Sequence, residues 1–232
     1  MIDFNTHPIL KTYKNFIFFG MFGSGKTEIS LSFVRTLKTL FELVAIADID
    51  TVSPFFRSRD EKAPLEAAGI RVMVPPFPFL HGDLPIIVPE VGGFLQNEAY
   101  RVVVDVGGDD DGATVLGSLS RFAKEHPTAV FFVANTKRPF SETPNAIIHN
   151  MYRLSQKSRM SITAIIHNTH LQAETTLDMI AQGEAILREV SEATKVPVFA
   201  TVLQDSLARA VSDHALSFPT MTIHRYLKTS WE

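Results

Sequence analysis

The stretch that decides the fold of this chain is Gly20-Met21-Phe22-Gly23-Ser24-Gly25-Lys26-Thr27. It matches the phosphate-binding loop G-x-x-x-x-G-K-[ST] at every fixed position. An apolar run at residues 16–19 comes directly before it, and a helical pattern over residues 27–40 follows. A buried strand, a glycine loop and a helix in this order form the context that the motif requires. The sequence therefore predicts a site for a nucleoside triphosphate.

Each fixed residue of this loop has a chemical role in phosphate binding. Glycines let the backbone curl until successive N–H groups point at phosphate oxygens, and the helix N-terminus adds partial positive charge. Lys26 would reach the β- and γ-phosphates, and the Thr27 hydroxyl would bind Mg²⁺. The predicted nucleotide-binding residues of the loop are Gly20, Gly23, Ser24, Gly25, Lys26 and Thr27.

The composition is that of an ordinary globular protein and limits the partners to be expected. A length of 232 residues fits a single α/β domain over residues 1–232. A net charge of -3 gives no general electrostatic reason to bind nucleic acid or an anionic membrane. No stretch approaches the ~20 apolar residues of a membrane span, and the N-terminal residues lack a signal-peptide pattern. We therefore expect a cytoplasmic protein whose partners include neither nucleic acid nor a membrane.

Apolar runs alternate with helical patterns along the chain. The runs are continuous in Val, Ile and Phe, which is typical of parallel strands that are covered on both faces. They lie at residues 16–19, 43–47, 72–74, 102–104, 129–133, 162–166, 197–200 and 222–224. Helical patterns lie at residues 27–40, 64–68, 113–124, 144–157, 175–194 and 206–212, with start signals at Thr143 and Ser206. This alternation predicts an open parallel sheet with helices on both faces.

Residues 75–93 interrupt the alternation. They contain five prolines, from Pro75 to Pro89, together with Gly82, Gly92 and Gly93. Proline and glycine at this density argue against regular structure. The segment is either a long surface connection packed by its own aromatic residues or a loop that binds a substrate or partner.

An acidic residue ends the strand predicted at residues 102–104. This residue is Asp105, and Gly108 lies three positions later. In a P-loop fold, an aspartate at this strand end lies beside the phosphate loop and holds Mg²⁺, usually through water. Gly108 would leave its N–H free to approach the γ-phosphate, so that the loop senses whether that phosphate is present. The acidic residues that follow, Asp110 and Asp111, are expected in a solvated turn.

Asp48 and Asp50 follow the second predicted strand. One of these carboxylates could hold the attacking water or a water of the Mg²⁺ shell. The alternative is that both residues cap a turn. Arg57 and Arg59, further along, could clamp an anionic substrate or pair with a neighbouring acid, and the sequence does not decide between these roles.

Together these elements resemble a known family, that of MinD, ParA and the CobB/CobQ (cobyrinic acid a,c-diamide synthase) ligases in the SIMIBI class of P-loop NTPases. The resemblance rests on residues 20–27, Asp48-Ile49-Asp50 and Asp105-Val106-Gly107-Gly108, and covers most of the chain. It implies a three-layer α/β/α fold with a mostly parallel sheet of seven or eight strands, in which the Asp105 strand neighbours the phosphate-loop strand.

The resemblance also implies roles for individual residues. Asp50 would help to activate water, with Asp48 and Lys26 as further candidates for catalysis. Asp105 would coordinate Mg²⁺ indirectly, and Asn168, after a late strand, would read the adenine. Asparagine after a strand is also a common turn residue, which leaves the role of Asn168 open.

Several features of the chain depart from branches of this family. The MinD and ParA branch carries a signature lysine directly after the first glycine of the loop, which reaches the phosphate across a dimer. Met21 stands there, so hydrolysis activated by that route is not expected, although a homodimer stays open. The membrane-targeting C-terminal helix has no counterpart over residues 220–232. Cysteine is absent, which excludes the iron–sulfur and thiolate-metal relatives.

The choice of base follows from a second motif. Guanine recognition of the usual kind needs Asn-Lys-x-Asp after a strand, and residues 135–138 read Asn135-Thr136-Lys137-Arg138. The second and fourth positions fail, so we expect ATP with Mg²⁺ as the bound nucleotide. Lys137 and Arg138 are either a solvated basic pair or contacts to a substrate.

Three functions are compatible with these residues. The first is a Mg-ATP-dependent ATPase switch that regulates a protein partner. The second is an ATP-dependent ligase, resembling dethiobiotin synthetase or cobyrinic acid a,c-diamide synthase, that phosphorylates a small carboxylate substrate. The third is a module that binds nucleotide without turnover.

Overall fold

The computed structural model describes residues 2–4, 7–50, 61–74, 89–209 and 216–227. Four sequence predictions fall wholly or partly outside these residues. They concern the roles of Arg57 and Arg59, residues 75–88 of the proline-rich segment, residues 210–212 of the helix predicted at 206–212, and residues 228–232 of the C-terminal segment.

The described residues contain eight strands and eight α-helices. The strands are β1 (Asn15–Phe19), β2 (Val44–Asp48), β3 (Arg71–Met73), β4 (Arg101–Asp105), β5 (Thr128–Ala134), β6 (Ala164–His167), β7 (Val198–Gln204) and β8 (Thr220–Ile223). The helices are α1 (Pro8–Thr12), α2 (Lys26–Leu40), α3 (Lys62–Ala67), α4 (Pro89–Gln96), α5 (Asp109–Ala123), α6 (Pro144–Ser158), α7 (Leu177–Thr194) and α8 (Asp205–Ala208).

The eight strands form one sheet in the order β3-β2-β4-β1-β5-β6-β7-β8. Every neighbouring pair is parallel. The predicted fold class is therefore confirmed, and the strand that ends in Asp105 pairs with the phosphate-loop strand as expected, with Phe18 opposite Asp105. The carboxyl ends of β1, β2 and β4 meet at one edge of the sheet, where ligands bind in open parallel sheets.

Both faces of the sheet carry a hydrophobic core. In β1, Ile17 and Phe19 belong to the core beneath α4, α5, α6 and α7. Phe16 and Phe18 belong to the opposite core, which includes side chains of α2 and α3. A strand covered on both faces needs apolar side chains at consecutive positions, which is why it reads as an unbroken apolar run.

Helix α4 corrects the prediction for the end of the proline-rich segment. The helix begins at Pro89, where the missing N–H costs no helical hydrogen bond. Val91 and Leu95 are fully buried, and a Cβ on Gly92 would lie 3.1 Å from the Phe122 ring. Tertiary packing of one apolar face thus stabilises a helix in a sequence that local propensity disfavours.

Helix boundaries confirm one predicted start signal and correct another. The Thr143 hydroxyl accepts a hydrogen bond from the Ala146 N–H at the start of α6. Ser206 is not a cap, because α8 begins at Asp205 after Gln204. Among the described residues, no helix is both long enough and apolar enough to cross a lipid bilayer.

Candidate functional site

The loop between β1 and α2 has backbone geometry that only glycine adopts without strain. Gly20 has a φ of 147°, and a Cβ there would lie 2.4 Å from the Val133 carbonyl oxygen. Gly25 has a φ of 89°, and a Cβ there would lie 2.2 Å from Nδ2 of Asn168. Both positions combine a positive φ with a contact too close for any side chain. The loop is therefore packed against β5 on one side and against Asn168 on the other.

Lys26 begins α2 and is buried at the centre of the loop. Its ammonium group donates to the Met21 carbonyl oxygen at 2.9 Å, so the side chain folds back over the loop that contains it. Burial lowers the pKa of Lys26, and the carboxylates of Asp105, Asp50 and Asp109 oppose this shift. A phosphate anion next to the ammonium would favour its charged form in the same way.

Asp105 lies at the end of β4, next to the start of α2. Its carboxylate accepts hydrogen bonds from the Thr27 side chain and, at 3.3 Å, from the Ser30 hydroxyl. Burial raises the pKa of Asp105 well above its ordinary value, and the charge of Asp48 adds to this effect. The hydrogen bond from Thr27 and the charge of Lys26 oppose it. The structure thus joins Thr27 to Asp105, the two residues that the sequence assigned to a metal ion.

Asp48 and Asp50 take different positions although only Ile49 separates them. Asp48 is the last residue of β2, fully buried, and it is the register partner of Asp105. Its Oδ1 accepts the Asp50 N–H at 2.9 Å. Asp50 lies beyond the strand and lines the cleft over the phosphate loop. Of the two carboxylates, Asp50 is therefore the one placed to meet a bound molecule.

Gly108 lies beside the phosphate loop and lines the cleft. A Cβ on Gly108 would be 3.0 Å from the Phe22 Cα. The acidic residues after it are not a solvated turn, because they form the first turn of α5. Asp110 pairs with Arg153 and, at 2.5 Å, with Lys157. These ion pairs to α6 correct the prediction for Asp110, whereas Asp111 is exposed as expected.

Asn168 connects the phosphate loop to the segment after β6. Its side-chain amide donates to the Ser24 carbonyl oxygen at 2.8 Å, and its backbone N–H bonds to Ala134 at the same distance. The Ser24 hydroxyl is buried and has no hydrogen-bond partner among the described residues. Asn168 thus lies against the predicted nucleotide-binding loop and lines the same cleft.

A cleft of about 220 Å³ extends from the phosphate loop along the edge of the sheet. One end contains Lys26, Thr27, Asp50 and Gly108, and the other is more apolar. The apolar end is lined by Ile180, Val202, Leu207, Ile223 and Leu227. The cleft lining also includes polar side chains from Asn168, Thr169, His170, Gln204 and Arg225. A polar end and an apolar end match the two halves of a nucleotide.

Sequence reasoning missed the segment that closes this apolar end. The Glu28 carboxylate accepts the backbone N–H groups of Tyr226 and Leu227 at 3.0 and 2.9 Å. Burial raises the pKa of Glu28, and these two hydrogen bonds oppose the shift. Nothing in the sequence marks Glu28, because its partners lie almost two hundred residues away in the chain.

Sequence reasoning also gave no role to His170, which lines the cleft. Both ring nitrogens of His170 are buried and have no hydrogen-bond partner among the described residues. Burial and the charges of Arg138 and Arg225 lower its pKa to about 4, so the ring is neutral at pH 7. A neutral imidazole in this position offers one donor and one acceptor to a bound molecule.

A buried hydrogen-bond network lies behind the cleft wall. The ring of His167 contacts the hydroxyls of Thr201 at 3.1 Å and Thr169 at 2.7 Å. Thr201 in turn donates to the Glu184 carboxylate at 2.5 Å. Burial lowers the pKa of His167 to about 3, so this ring is also neutral at pH 7.

We expect His167 to make stability depend on pH. Unfolded histidine has a pKa of about 6.5, so between that pH and about 3 the unfolded chain holds a proton that folded His167 does not. The unfolding free energy should therefore fall as the pH falls through this window, by up to about 1.4 kcal/mol per pH unit from this residue. Urea unfolding at several pH values should show a shallower pH dependence for His167→Gln. Equal slopes for the wild type and His167→Gln would contradict the assignment.

Comparisons with known proteins agree with this fold. No protein-family model matches the chain, and a search of curated proteins found no match. Among solved structures, the chain is similar to the cell division protein FtsY from Thermotoga maritima, with a TM-score of 0.57 and 17% identity over 82% of this chain and 61% of that one. The signal recognition particle receptor FtsY from Elizabethkingia anophelis, in complex with GDP, gives a TM-score of 0.54 and 18% identity, over 82% of this chain and 57% of that one. FtsY from Mycoplasma mycoides gives a TM-score of 0.53 and 16% identity, over 81% of this chain and 58% of that one.

These similarities show a shared fold. The chain spans less than two thirds of the length of each of those structures. The parallel sheet, the glycine loop between β1 and α2 and the FtsY structures together define the class, an α/β protein with the P-loop NTPase fold.

Proposed function

We propose that this protein is a Mg-ATP-binding switch of the P-loop NTPase type, which hydrolyses ATP and regulates a partner. The observation that carries the proposal is the continuous cleft from Lys26 and Thr27, at the phosphate loop, to Asn168 and the apolar end. A cleft with this order of groups fits phosphates at one end and a base at the other.

The phosphate end supports binding of a polyphosphate. Gly25, in the left-handed conformation, precedes the first residue of α2, and no side chain caps the helix. The first N–H groups of the helix therefore lack intrahelical acceptors and are available to phosphate oxygens. Lys26 adds a full positive charge at the same place.

The residues beside the loop fit Mg²⁺ in the form in which proteins usually hold it with nucleotides. Mg²⁺ keeps several waters and is bound by one or two protein oxygens together with phosphate oxygens. Thr27 would supply a hydroxyl oxygen, and Asp105 would hold a water of the metal shell. Asp105 and Asp48 are buried carboxyl groups side by side, and a cation next to them would favour their charged forms. Bound Mg²⁺ would neutralise charge on the phosphates.

Adenine is the base that the polar groups favour. Asparagine pairs with adenine through N6 and N7, whereas guanine is read through donors to O6 and N7. The Asn168 amide nitrogen uses one N–H on Ser24, which leaves the second N–H for N7 and the side-chain oxygen for the N6 amino group. Residues 168–171 read Asn-Thr-His-Leu and contain no acidic group for guanine.

The switch is favoured over a ligase by the position of Gly108. Gly108 lines the cleft beside the phosphate loop and directly precedes α5, so a contact between its N–H and the γ-phosphate would act on the start of that helix. The ligase hypothesis depends on Arg57, Arg59 and residues 75–93. Of these, residues 89–93 lie in the described part of the chain.

We expect ATP to bind roughly 5- to 150-fold more tightly than GTP in the presence of Mg²⁺, because one well-placed pair of hydrogen bonds to a base is worth ~1–3 kcal/mol. Displacement of a fluorescent ATP analogue by each unlabelled nucleotide measures this ratio. The Asn168→Ala variant should lose most of the preference.

Tripolyphosphate, which has no base, provides the internal control for this measurement. Its affinity should change less than that of ATP in Asn168→Ala. Tighter binding of GTP than of ATP by the wild-type protein would overturn the choice of adenine, and failure to bind either nucleotide would overturn the proposed function itself.

A further inference from the structure

A cationic side chain from outside the phosphate loop lies against that loop. Nε of Arg138 donates to the Gly23 carbonyl oxygen at 3.1 Å. The guanidinium is so close that a Cβ on Gly23 would lie 2.9 Å from Nε. Arg138 also lines the cleft, together with Lys26 and Thr27. The sequence did not decide whether Lys137 and Arg138 are solvated or contact a ligand. In the structure the two residues differ, because Arg138 lines the cleft and Lys137 does not.

The segment that carries Arg138 is fixed by hydrogen bonds on both sides. Asn135, at the end of β5, is buried, and its Oδ1 accepts the Lys137 N–H at 3.0 Å. Its side-chain amide donates to the His170 carbonyl at 3.0 Å. Further along, the Ser141 N–H bonds to the Arg138 carbonyl at 3.1 Å, and Asn150 donates to the Phe140 carbonyl at 2.8 Å. The loop holds Arg138 in place before any ligand arrives.

Within the described part of the chain, the remaining donors of Arg138 have no protein acceptor. Among the described residues, Nε makes the one hydrogen bond of this guanidinium, so the two terminal nitrogens keep their donors. Its positive charge reaches into the cleft, since it helps to lower the pKa of His170. A guanidinium in a preformed position, with unused donors, suits a phosphate group.

The charge of the ligand supplies the reason for a second cation. A nucleoside triphosphate carries more negative charge than one lysine and one divalent cation neutralise, and the charge shifts between its oxygens during phosphoryl transfer. Donors and cations that are already in place stabilise this charge best. Lys26 is the cation that the loop itself contributes.

We infer that Arg138 contacts the phosphate chain of the bound nucleotide as a second protein cation beside Lys26. The inference rests on the proposed function, because it assumes that the cleft binds a nucleotide. The contact with Gly23 orients the guanidinium, and the two terminal nitrogens bind phosphate oxygens.

The test compares substitutions that separate charge from support of the loop. Arg138→Gln removes the charge but retains an amide donor for the Gly23 carbonyl, and Arg138→Lys retains the charge without the planar fork. Lys137→Gln makes the same charge change one residue away. Calorimetry gives the affinity of each protein for Mg-ATP and for tripolyphosphate, at low and high salt.

Arg138→Gln should bind both ligands at least ~10-fold more weakly than the wild type, and the loss should shrink at high salt because the contact is electrostatic. Arg138→Lys should recover part of the affinity, and the ATP/GTP ratio should not change. Lys137→Gln should resemble the wild type.

Equal affinities for Arg138→Gln and Lys137→Gln would overturn the inference while the proposed function stands. So would a loss confined to ATP, since Arg138 would then act on the base or ribose. If Arg138→Gln unfolds, the comparison of Arg138→Lys with the wild type decides, and unchanged binding of both ligands at low and high salt would overturn it. A wild-type protein that binds neither ATP nor tripolyphosphate would remove both proposals.

Discussion

Asp50→Asn is expected to lower the kcat of ATP hydrolysis by ~100-fold or more, within the range of general-base effects, and to change nucleotide affinity little. The reason is that a carboxylate positioning the attacking water acts mainly in the transition state. Asp50 lines the cleft over the phosphate loop, and its charge acts on Lys26. Asparagine keeps the size of the side chain but cannot accept the proton.

Two further substitutions serve as a control and a comparison for the effect of Asp50→Asn on kcat. Asp111→Asn, on the exposed first turn of α5, should hydrolyse ATP like the wild type. Asp48→Asn should cost less activity than Asp50→Asn, because Asp48 is buried and its Oδ1 supports the Asp50 N–H. Steady-state phosphate release, with calorimetry for affinity, separates kcat from binding. Full turnover in both Asp50→Asn and Asp48→Asn would eliminate the catalytic role of this acidic pair.

Lys26→Ala is expected to weaken Mg-ATP binding by about 100-fold, or about 2.7 kcal/mol. Lys26 is the only cationic side chain of the loop, and each hydrogen bond to a charged group contributes about 1.5–3 kcal/mol. Its ammonium is already held over the loop by the Met21 carbonyl, so little ordering is needed when phosphate replaces that contact. Titration calorimetry with Mg-ATP measures the loss.

Lys11→Ala, on the exposed side of α1, removes the same charge away from the cleft and should bind ATP normally. Thermal unfolding of both variants shows whether each is folded. The loop would not be the phosphate site if folded Lys26→Ala bound ATP as tightly as the wild type.

The main lines of the fold were predictable because they depend on local signals. Parallel strands buried on both faces leave unbroken apolar runs, and the eight predicted runs correspond to the eight strands of the sheet. The glycine loop, likewise, is a contiguous motif. The prediction went wrong where tertiary packing outweighed local preference, as in α4, which begins at Pro89 and contains Gly92 within the helix.

The candidate site was also only partly predictable from the sequence. The sequence predicted site residues from the loop and the strand ends, and the structure brings Lys26, Thr27, Asp50 and Asn168 to one cleft, with Asp105 beside Thr27. Spacing alone could not rank Asp50 above Asp48, which rested on the family resemblance, because the ranking depends on where β2 stops and on which carboxylate then faces Asp105.

By itself, then, the sequence determined the P-loop, the parallel sheet and the acidic strand ends, since each follows from residue types close together in the chain. Only the tertiary structure brought Arg138 to Gly23, joined Glu28 to the segment at residues 226–227, and placed His170 in the cleft. These contacts join residues more than a hundred positions apart. Their geometry depends on how neighbouring strands end at one edge of the sheet, and no local pattern in the sequence encodes it.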